Sequence, residues 1–215
     1  MTSIGRGSSI ATIEIVVTSP RTARTLRVKA WTRGEEEVLA AIEAPPREEG
    51  TATLRVKENL WNYLPRIART IRVPPSAMLG AWMGPTSPTT ISSRSRPSEE
   101  TSSPGSIAVP THPPGGGSPW TSNPRIVGRW ARKELLVSDQ RLPIAERHYD
   151  RRGRLARTMA FDEIQILGAR QLPSRSVLTP TGVEGQRTEL RYLDIQFNAA
   201  LPDDTFSLSR LESVR

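Results

Sequence analysis

Cysteine is absent from this 215-residue chain. Its absence excludes disulfide bonds, thiol catalysis and zinc sites with cysteine ligands, and it leaves no cysteine to which a lipid could be attached. Histidine occurs twice, at His112 and His148, and two isolated histidines do not form a metal site without further ligands. The composition therefore predicts a protein that needs no metal and no other cofactor.

Catalytic motifs are equally scarce. A serine hydrolase would need a serine close to His148, because His112 lies in low-complexity sequence, and no nucleophile-elbow motif surrounds any serine. The glycines at 115–117 cannot form a phosphate-binding loop, because no predicted helix follows them. We therefore expect that the protein is not an enzyme.

The chain also lacks long apolar runs. No run approaches the ~18 residues of a transmembrane helix, and the first residues, Met1–Ser9, lack the apolar core of a signal peptide. Hydrophobic residues make up 36% of the chain, below the usual globular share, and 19 residues are proline. We expect one domain in which part of the chain is not packed.

Lysine is rare, so arginine supplies nearly all of the positive charge behind the net charge of +8. One interpretation is an anionic partner, either nucleic acid or an anionic membrane surface. The alternative is a codon bias, because arginine codons are GC-rich. The basic residues are scattered along the predicted strands with no stacking platform beside them, which argues against nucleic acid.

Alternating apolar residues predict a mainly β protein with few short helices. Short turns between the strands favour an antiparallel meander that must curl or pair with another layer. An aspartate at 203 or 204 could cap one short helix near the end of the chain. The predicted strands in the first half contain Ile13, Val28, Ala40 and Leu54, and a fifth runs from Trp61 to the stop at Pro74-Pro75. Those in the second half are a strand with Leu135 and Val137, Ile144–Tyr149, Leu155–Ile166, Leu172–Leu178 and a strand with Leu193, Ile195 and Phe197.

The segment Gly50–Gly84 carries the predicted binding site. Its apolar, flexible and polarisable side chains suit contact with an apolar ligand, although ordinary core packing is the competing interpretation for Trp61 and Ile67. Three arginines beside them could contact an anionic group, or they could form a solvated strand face. The predicted apolar contacts are Trp61, Tyr63, Leu64, Ile67, Met78, Leu79, Trp82 and Met83, and the predicted anionic contacts are Arg66, Arg69 and Arg72.

Several stretches resemble the periplasmic outer-membrane lipoprotein-sorting proteins, the LolA-like superfamily. The resembling stretches are Gly50–Leu54, Leu60–Ser76 with its sequence LWNYLPRIARTIRVPPS, Trp82–Gly84, Leu142–Ile164, Leu172–Pro180 and Pro202–Leu211. The resemblance implies a curved antiparallel sheet, or half-open β-barrel, whose helices or loops cover an apolar cavity for acyl chains. The predicted apolar contacts would then form the wall or mouth of that cavity. It also implies a periplasmic location and no catalysis. Family members begin with a signal peptide, so we expect that the start of this chain is truncated or misassigned.

A Ser-, Pro-, Thr- and Gly-rich segment over residues 84–125 separates an N-terminal half of the β domain (1–83) from a C-terminal half (126–215). The composition predicts that this segment is disordered. It is either a true linker or a frame-shifted stretch. Codons for Pro85–Arg96, read one base away, can spell the acidic sequence that family members carry at this point, and the frame would be restored near Arg129–Lys133.

These observations predict a monomeric carrier that binds the acyl chains of lipoproteins or lipids. The partners implied by the resemblance are lipoproteins, an inner-membrane releasing complex and an outer-membrane acceptor. The first alternative is an envelope sensor or protein-interaction module on the same fold. The second alternative is a basic protein that binds polyanions. The sequence does not name the cargo.

Overall fold

The computed structural model describes residues 7–34, 36–73, 118–122 and 131–214. Within them the chain forms twelve β-strands and one short α-helix. The strands are β1 (Ser8–Thr18), β2 (Ala23–Arg33), β3 (Glu37–Ala44), β4 (Ala52–Val56), β5 (Asn59–Leu64), β6 (Arg69–Val73), β7 (Ser118–Ser122), β8 (Arg132–Val137), β9 (Pro143–Tyr149), β10 (Leu155–Leu167), β11 (Arg170–Pro180) and β12 (Arg187–Phe197). The helix α1 is Leu208–Ser213, and 3-10 turns lie at Pro65–Ile67 and Asp203–Phe206.

The strands form a single antiparallel sheet in the order β6-β5-β4-β3-β2-β1-β12-β11-β10-β9-β8-β7. Each half of the chain is a meander, and the pairing of β1 with β12 joins the two halves at the centre of the sheet. Since β6 and β7 lie at opposite ends of this order and do not pair, the sheet is not closed. The prediction of a mainly β, half-open antiparallel sheet is confirmed.

The sheet bends toward one of its two faces. Strand β11 pairs with β12 only from Arg175 to Leu178, so the end of the β10–β11 hairpin leaves β12. That end returns over the face that carries Ile195 and Phe197. A Cβ on Gly168, which has a φ of +55°, would lie 2.5 Å from the carbonyl oxygen of Ile195. This close approach requires glycine, and it defines the concave face of the sheet.

The concave face carries Ile13 of β1, Val28 of β2 and Ile42 of β3, and the registers extend the same face to Leu190 of β12. The opposite, convex face carries Leu39, Leu54 and Trp61. Because side chains alternate along a strand, each strand contributes to both faces. Apolar residues are buried on both sides, so the sheet has two separate cores.

Helix α1 lies on the convex face. Leu211 and Val214 pack with Leu39 and Leu54, and the hydroxyl of Thr70 donates to Glu212 Oε1 at 2.6 Å. The prediction that Asp203 or Asp204 caps this helix is wrong, because the cap is Ser207. Its hydroxyl accepts a hydrogen bond from the backbone N–H of Arg210 at 3.1 Å. Asp203 and Asp204 instead begin the preceding 3-10 turn. No helix among the described residues is long and apolar enough to cross a membrane.

The prediction of one strand from Trp61 to the stop at Pro74-Pro75 is wrong. Pro65 begins a 3-10 turn, Ala68 has a positive φ of 46°, and the chain reverses into the hairpin β5–β6. Proline cannot donate to a strand ladder, so it ends the pairing there. The prediction of a disordered central segment over 84–125 falls largely outside the described residues; within it the structure describes Ser118–Ser122, which form β7.

Candidate ligand-binding face

The centre of the concave face is filled by the protein's own aliphatic side chains. They come from β1, β2, β3 and β12, and none is more than 9% exposed. Full burial of an isoleucine or leucine contributes roughly 1.5–3 kcal/mol, so this cluster is a major source of stability. Its members are Ala11, Ile13, Ile15, Leu26, Val28, Ala30, Ala40, Ile42, Leu190 and Ile195.

The concave face changes character toward β8, β9 and β10. The registers place Leu135, Ile144, Met159 and Phe161 on this face, and all four are only half-buried. Leu178 of β11, which is fully buried, separates them from the filled centre. Half-buried apolar side chains on a concave surface keep the area that an apolar ligand could cover.

A chain of polar groups crosses the same part of the face. Arg157 of β10 donates its Nε–H to Nδ1 of His148 at 3.0 Å. Nε2 of His148 lies 2.8 Å from Oε1 of Glu146, and the same oxygen lies 3.1 Å from Nζ of Lys133. His148 and Arg157 are buried, at 2% and 8% exposure. We call Lys133, Glu146, His148 and Arg157 the polar chain.

The geometry fixes the protonation of the polar chain. Nδ1 of His148 accepts a hydrogen bond, so the neutral ring carries its proton on Nε2, which faces Glu146. Burial lowers the pKa of His148 more strongly than Glu146 raises it, so the imidazole is held neutral. Burial alone would raise the pKa of Glu146, but the hydrogen bond from His148 and the charge of Lys133 lower this pKa to about 2.

The polar chain can hold an oriented hydrogen-bonding group beside apolar side chains. It contains one carboxylate and one imidazole, and no group of three or more potential metal ligands occurs in the described ranges. In the sequence His148 stood out alone, and its three partners were missed. The available signal was the spacing of Glu146 and His148, because residues two apart on a strand share one face.

The predicted aromatic contacts lie on the convex face. Trp61 and Tyr63 of β5 pack against the cluster that helix α1 covers, next to Leu54 and Ala52. Both side chains are half-buried in this packing. Both therefore contribute to packing on this face, and their contact with acyl chains stays a prediction.

The other predicted residues do not gather at one place. Leu64 is half-buried on edge strand β5, on the concave side, and Ile67 is 56% exposed in the 3-10 turn. Arg66 lies in that turn, whereas Arg69 and Arg72 point to opposite faces of β6 because they are three residues apart. The Arg72 guanidinium donates to Oδ1 of Asn59. The remaining predicted contacts, Met78, Leu79, Trp82 and Met83, lie outside the described residues.

The convex face of the C-terminal half carries charged groups. Arg175 contacts Asp162 at 2.7 Å and Glu189 at 2.8 Å. Arg191 contacts Glu189 at 3.3 Å and also pairs with Glu163. These contacts lower the pKa of Glu189 through the hydrogen bond from Arg175. The polar exterior of this half contrasts with the helix-covered exterior of the other half.

An open twelve-stranded sheet with a filled centre, a half-buried concave flank and a helix on its outside is a LolA-like half-barrel. A family model described as "-like: Uncharacterized protein" matches residues 34–102 and 121–213, and the chain belongs to that family. No curated protein matches the chain in sequence.

Solved structures share the fold across nearly the whole chain. A domain described as an outer membrane lipoprotein-sorting protein domain from Vibrio parahaemolyticus is 20% identical, with a TM-score of 0.72 over 98% of this chain and 93% of its own. A LolA superfamily protein from Nitrosomonas europaea is 17% identical, with a TM-score of 0.68 over 97% and 93%. A DUF1329 family protein from Desulfovibrio piger is 14% identical, with a TM-score of 0.73 over 97% and 92%. The resemblance seen in the sequence is confirmed at the level of the fold.

Proposed function

We propose that this protein is a lipoprotein-sorting-type carrier that binds acyl chains of lipoproteins or lipids on the concave face of its sheet. The observation that carries the proposal is the half-buried apolar flank formed by Leu135, Ile144, Met159 and Phe161 beside the filled centre. Each methylene that a ligand buries there contributes about 0.8 kcal/mol. Apolar burial therefore drives binding without a cofactor.

The polar chain gives the ligand an orientation. Lys133 and Arg157 bring positive charge to the concave face, while Glu146 and neutral His148 fix their positions. The polar end of an amphipathic ligand would contact this chain, with its hydrocarbon against Met159 and Phe161. A buried polar group needs such a partner, because its desolvation otherwise opposes binding.

The proposed activity is non-enzymatic transport in the periplasm. Fold similarity to a lipoprotein-sorting protein domain supports this assignment. The proposed partners are lipoproteins, a releasing complex at the inner membrane and an acceptor at the outer membrane, with the carrier working as a monomer. Release would follow when a partner protein opens the lid that covers the bound ligand.

Lipid extraction of the purified protein tests the proposal. We expect mass spectrometry to find co-purified acyl lipids, and we expect a fluorescent fatty acid to bind the delipidated protein. Phe161→Ser should weaken that binding at least fivefold. Ile164→Ser is the matched control, since Ile164 lies on the same strand but is 43% exposed. Equal binding by both variants, or no bound lipid in either experiment, would contradict the carrier function.

A protein-interaction module on the same fold is the alternative. The observation that favours it is the filled centre of the concave face, which leaves only the flank for a ligand. This alternative predicts that the delipidated protein binds no fatty acid and keeps its stability. The fatty-acid titration therefore separates the two functions.

A further inference from the structure

Five turns meet at one end of the sheet. Because consecutive antiparallel strands reverse direction, the turns after β1, β3, β5, β9 and β11 all lie at the same end. They are residues 19–22, 45–51, 65–68, 150–154 and 181–186. We call this end the arginine rim.

Exposed arginines concentrate in these turns. The turns contain Arg21, Arg47, Arg66, Arg151, Arg152 and Arg154, all of them exposed. Arg69 and Arg187, also exposed, begin the adjoining strands β6 and β12. At the opposite end the described turns carry more acidic than basic residues, with Glu36, Glu58 and Asp139 against Lys57 and Arg141. The positive charge is therefore polarised toward one end of the molecule.

The five turns contain six arginines against four acidic residues, Glu48, Glu49, Asp150 and Glu184, and two of those four contact arginine. Asp150 accepts the guanidinium of Arg154 at 2.9 Å and 3.0 Å, and it also accepts two backbone N–H groups of its own turn. Glu48 lies 3.5 Å from Arg24. Arg24, Glu48, Arg47, Thr51 and Arg66 line an open cleft of about 510 Å³. The rim therefore keeps a net positive charge although it contains carboxylates.

Two aliphatic side chains protrude from the same turns. Ile67 is 56% exposed in the turn after β5, and Val183 is 41% exposed in the turn after β11. Isolated exposed aliphatics are common on soluble proteins. Their position among arginines matters here, because basic and aliphatic side chains together suit the boundary between lipid headgroups and acyl chains.

We infer that the arginine rim docks on an anionic lipid bilayer, with arginines on the headgroup phosphates and Ile67 and Val183 at the headgroup–acyl boundary. The turns spread over ten neighbouring strands, roughly 40 Å at about 4.8 Å per strand, which fits a broad surface better than a short peptide. The five turns contain no aromatic residue on which bases could stack, which disfavours single-stranded nucleic acid. The inference holds whether or not the concave face binds acyl chains.

Vesicle flotation with the purified full chain tests whether the arginines of the rim contribute to bilayer binding. Vesicles of equal parts phosphatidylethanolamine and phosphatidylglycerol should bind the protein, and pure phosphatidylcholine vesicles should not. The double variant Arg66→Gln/Arg151→Gln should lower the partition coefficient roughly thirtyfold, because each basic residue near an anionic bilayer contributes about a fivefold factor. Added salt should weaken the binding of the unsubstituted chain.

The matched control removes the same charge from the opposite end. Lys57→Gln/Arg141→Gln should leave the partition coefficient within about twofold, since both side chains lie far from the docked surface. Circular dichroism of each variant confirms the fold. An equal loss in the rim and control variants would overturn the rim as the docking site, because it would show only a response to net charge.

A second pair of variants tests the aliphatic contacts. Ile67→Ser/Val183→Ser should lower binding to anionic vesicles several-fold, whereas Ile166→Ser, which changes a 78% exposed isoleucine in the β10–β11 hairpin, should not. Failure of the unsubstituted protein to float with anionic vesicles would overturn the inference, as would tighter binding to duplex or single-stranded nucleic acid than to vesicles. Co-purified acyl lipid tests the carrier function separately.

Discussion

The two halves of the sheet differ in the side chains that cover their concave and convex faces. Around β1, β2 and β3 the concave face is filled with aliphatic side chains, and helix α1 covers the convex face beyond them. Around β8, β9 and β10 the concave face carries the polar chain and half-buried apolar residues, and on β10–β12 the convex face carries paired charges. One half therefore has a concave face filled with buried aliphatic side chains, and the other keeps half-buried apolar surface there, where we propose that the ligand binds.

This division joins the half-buried apolar flank to a densely packed core. The central pairing of β1 with β12 runs from Ser9 to Thr18 and ties the flank to the buried core. Side chains in a filled core resist rearrangement, whereas half-buried side chains can repack around a ligand.

The largest effect is expected for the filled centre. Leu26→Ala should lower the free energy of unfolding by about 3 kcal/mol, because Leu26 is 0% exposed and its removal leaves a cavity. Met159→Ala on the apolar flank should lower the free energy of unfolding by about half as much, since Met159 is only half-buried. Urea denaturation measures both. Equal losses would show that the two halves are packed alike.

The polar chain should make the protein sensitive to acid. The pKa of His148 is lowered below 6.5, so the unfolded chain binds a proton first and stability declines as the pH falls below 6.5. Glu146, with a pKa of about 2 against 4.5, adds a further loss as the pH falls from 4.5 toward 2. The groups facing His148 are Lys133, Glu146 and Arg157 from β8, β9 and β10.

The check is urea unfolding at several pH values. His148→Gln should remove the decline that begins near pH 6.5 and keep the one below 4.5. An unchanged slope in this variant would mean that His148 does not cause the first decline.

A smaller effect is expected at the cap of helix α1. Ser207→Ala should destabilise the protein by about 1 kcal/mol, because the hydroxyl accepts the N–H of Arg210. Ser213→Ala is the control at the other end of the helix, where the hydroxyl donates to the Arg210 carbonyl and the side chain is exposed. Thermal unfolding compares the two. The capping role would be refuted by equal melting temperatures for Ser207→Ala and the unsubstituted chain.

The smallest effect is expected for the charged convex face. Arg191→Gln should lower the melting temperature only slightly, since its contacts with Glu163 and Glu189 are partly solvated. The decrease should shrink further in high salt. A decrease as large as that caused by Leu26→Ala would show that this half relies on its ion pairs as the other half relies on its core.

Sequence alone predicted the strands well, because alternation and turn residues are local signals. The strands β1–β4 lie where Ile13, Val28, Ala40 and Leu54 indicated them. Alternation defines two faces of a strand, however, and does not say toward which face a sheet bends. Here the bend depends on the contact of Gly168 with β12, which is distant in sequence. That is why Trp61 and the other candidates of β5 could not be assigned to one side.

Charge placement was missed for the same reason. The arginines are scattered along the sequence, and this argued against a basic patch. Antiparallel turns bring Arg47, Arg66 and Arg151 to one end of the sheet, although more than eighty residues separate Arg66 from Arg151. Arginines that are far apart in the sequence therefore lie at the same end of the sheet.

The frame-shift hypothesis for the segment 84–125 remains a prediction. Sequencing the coding DNA should show that the codons of Pro85–Arg96, read one base away, encode an acidic stretch containing Asp-Phe-Thr-Asn-Asp-Asp. The family match extends to residue 102 and resumes at 121. It thus includes Pro85–Arg96 as they stand, which favours an unshifted frame. Absence of the acidic stretch from the shifted frame would leave a true linker.

The pairing of the first strand with the last has a consequence for folding. Ser9 faces Phe197 and Thr18 faces Arg187, so the middle of the sheet depends on contacts between residues about 170–190 positions apart. Such contacts require closure of a very long loop before they contribute any stability, and chains dominated by them fold slowly. Each meander can form early from neighbouring hairpins, but the pairing of β1 with β12 cannot form until β12 has been synthesised. A ribosome-bound chain lacking that strand would hold two half-sheets with nothing between them.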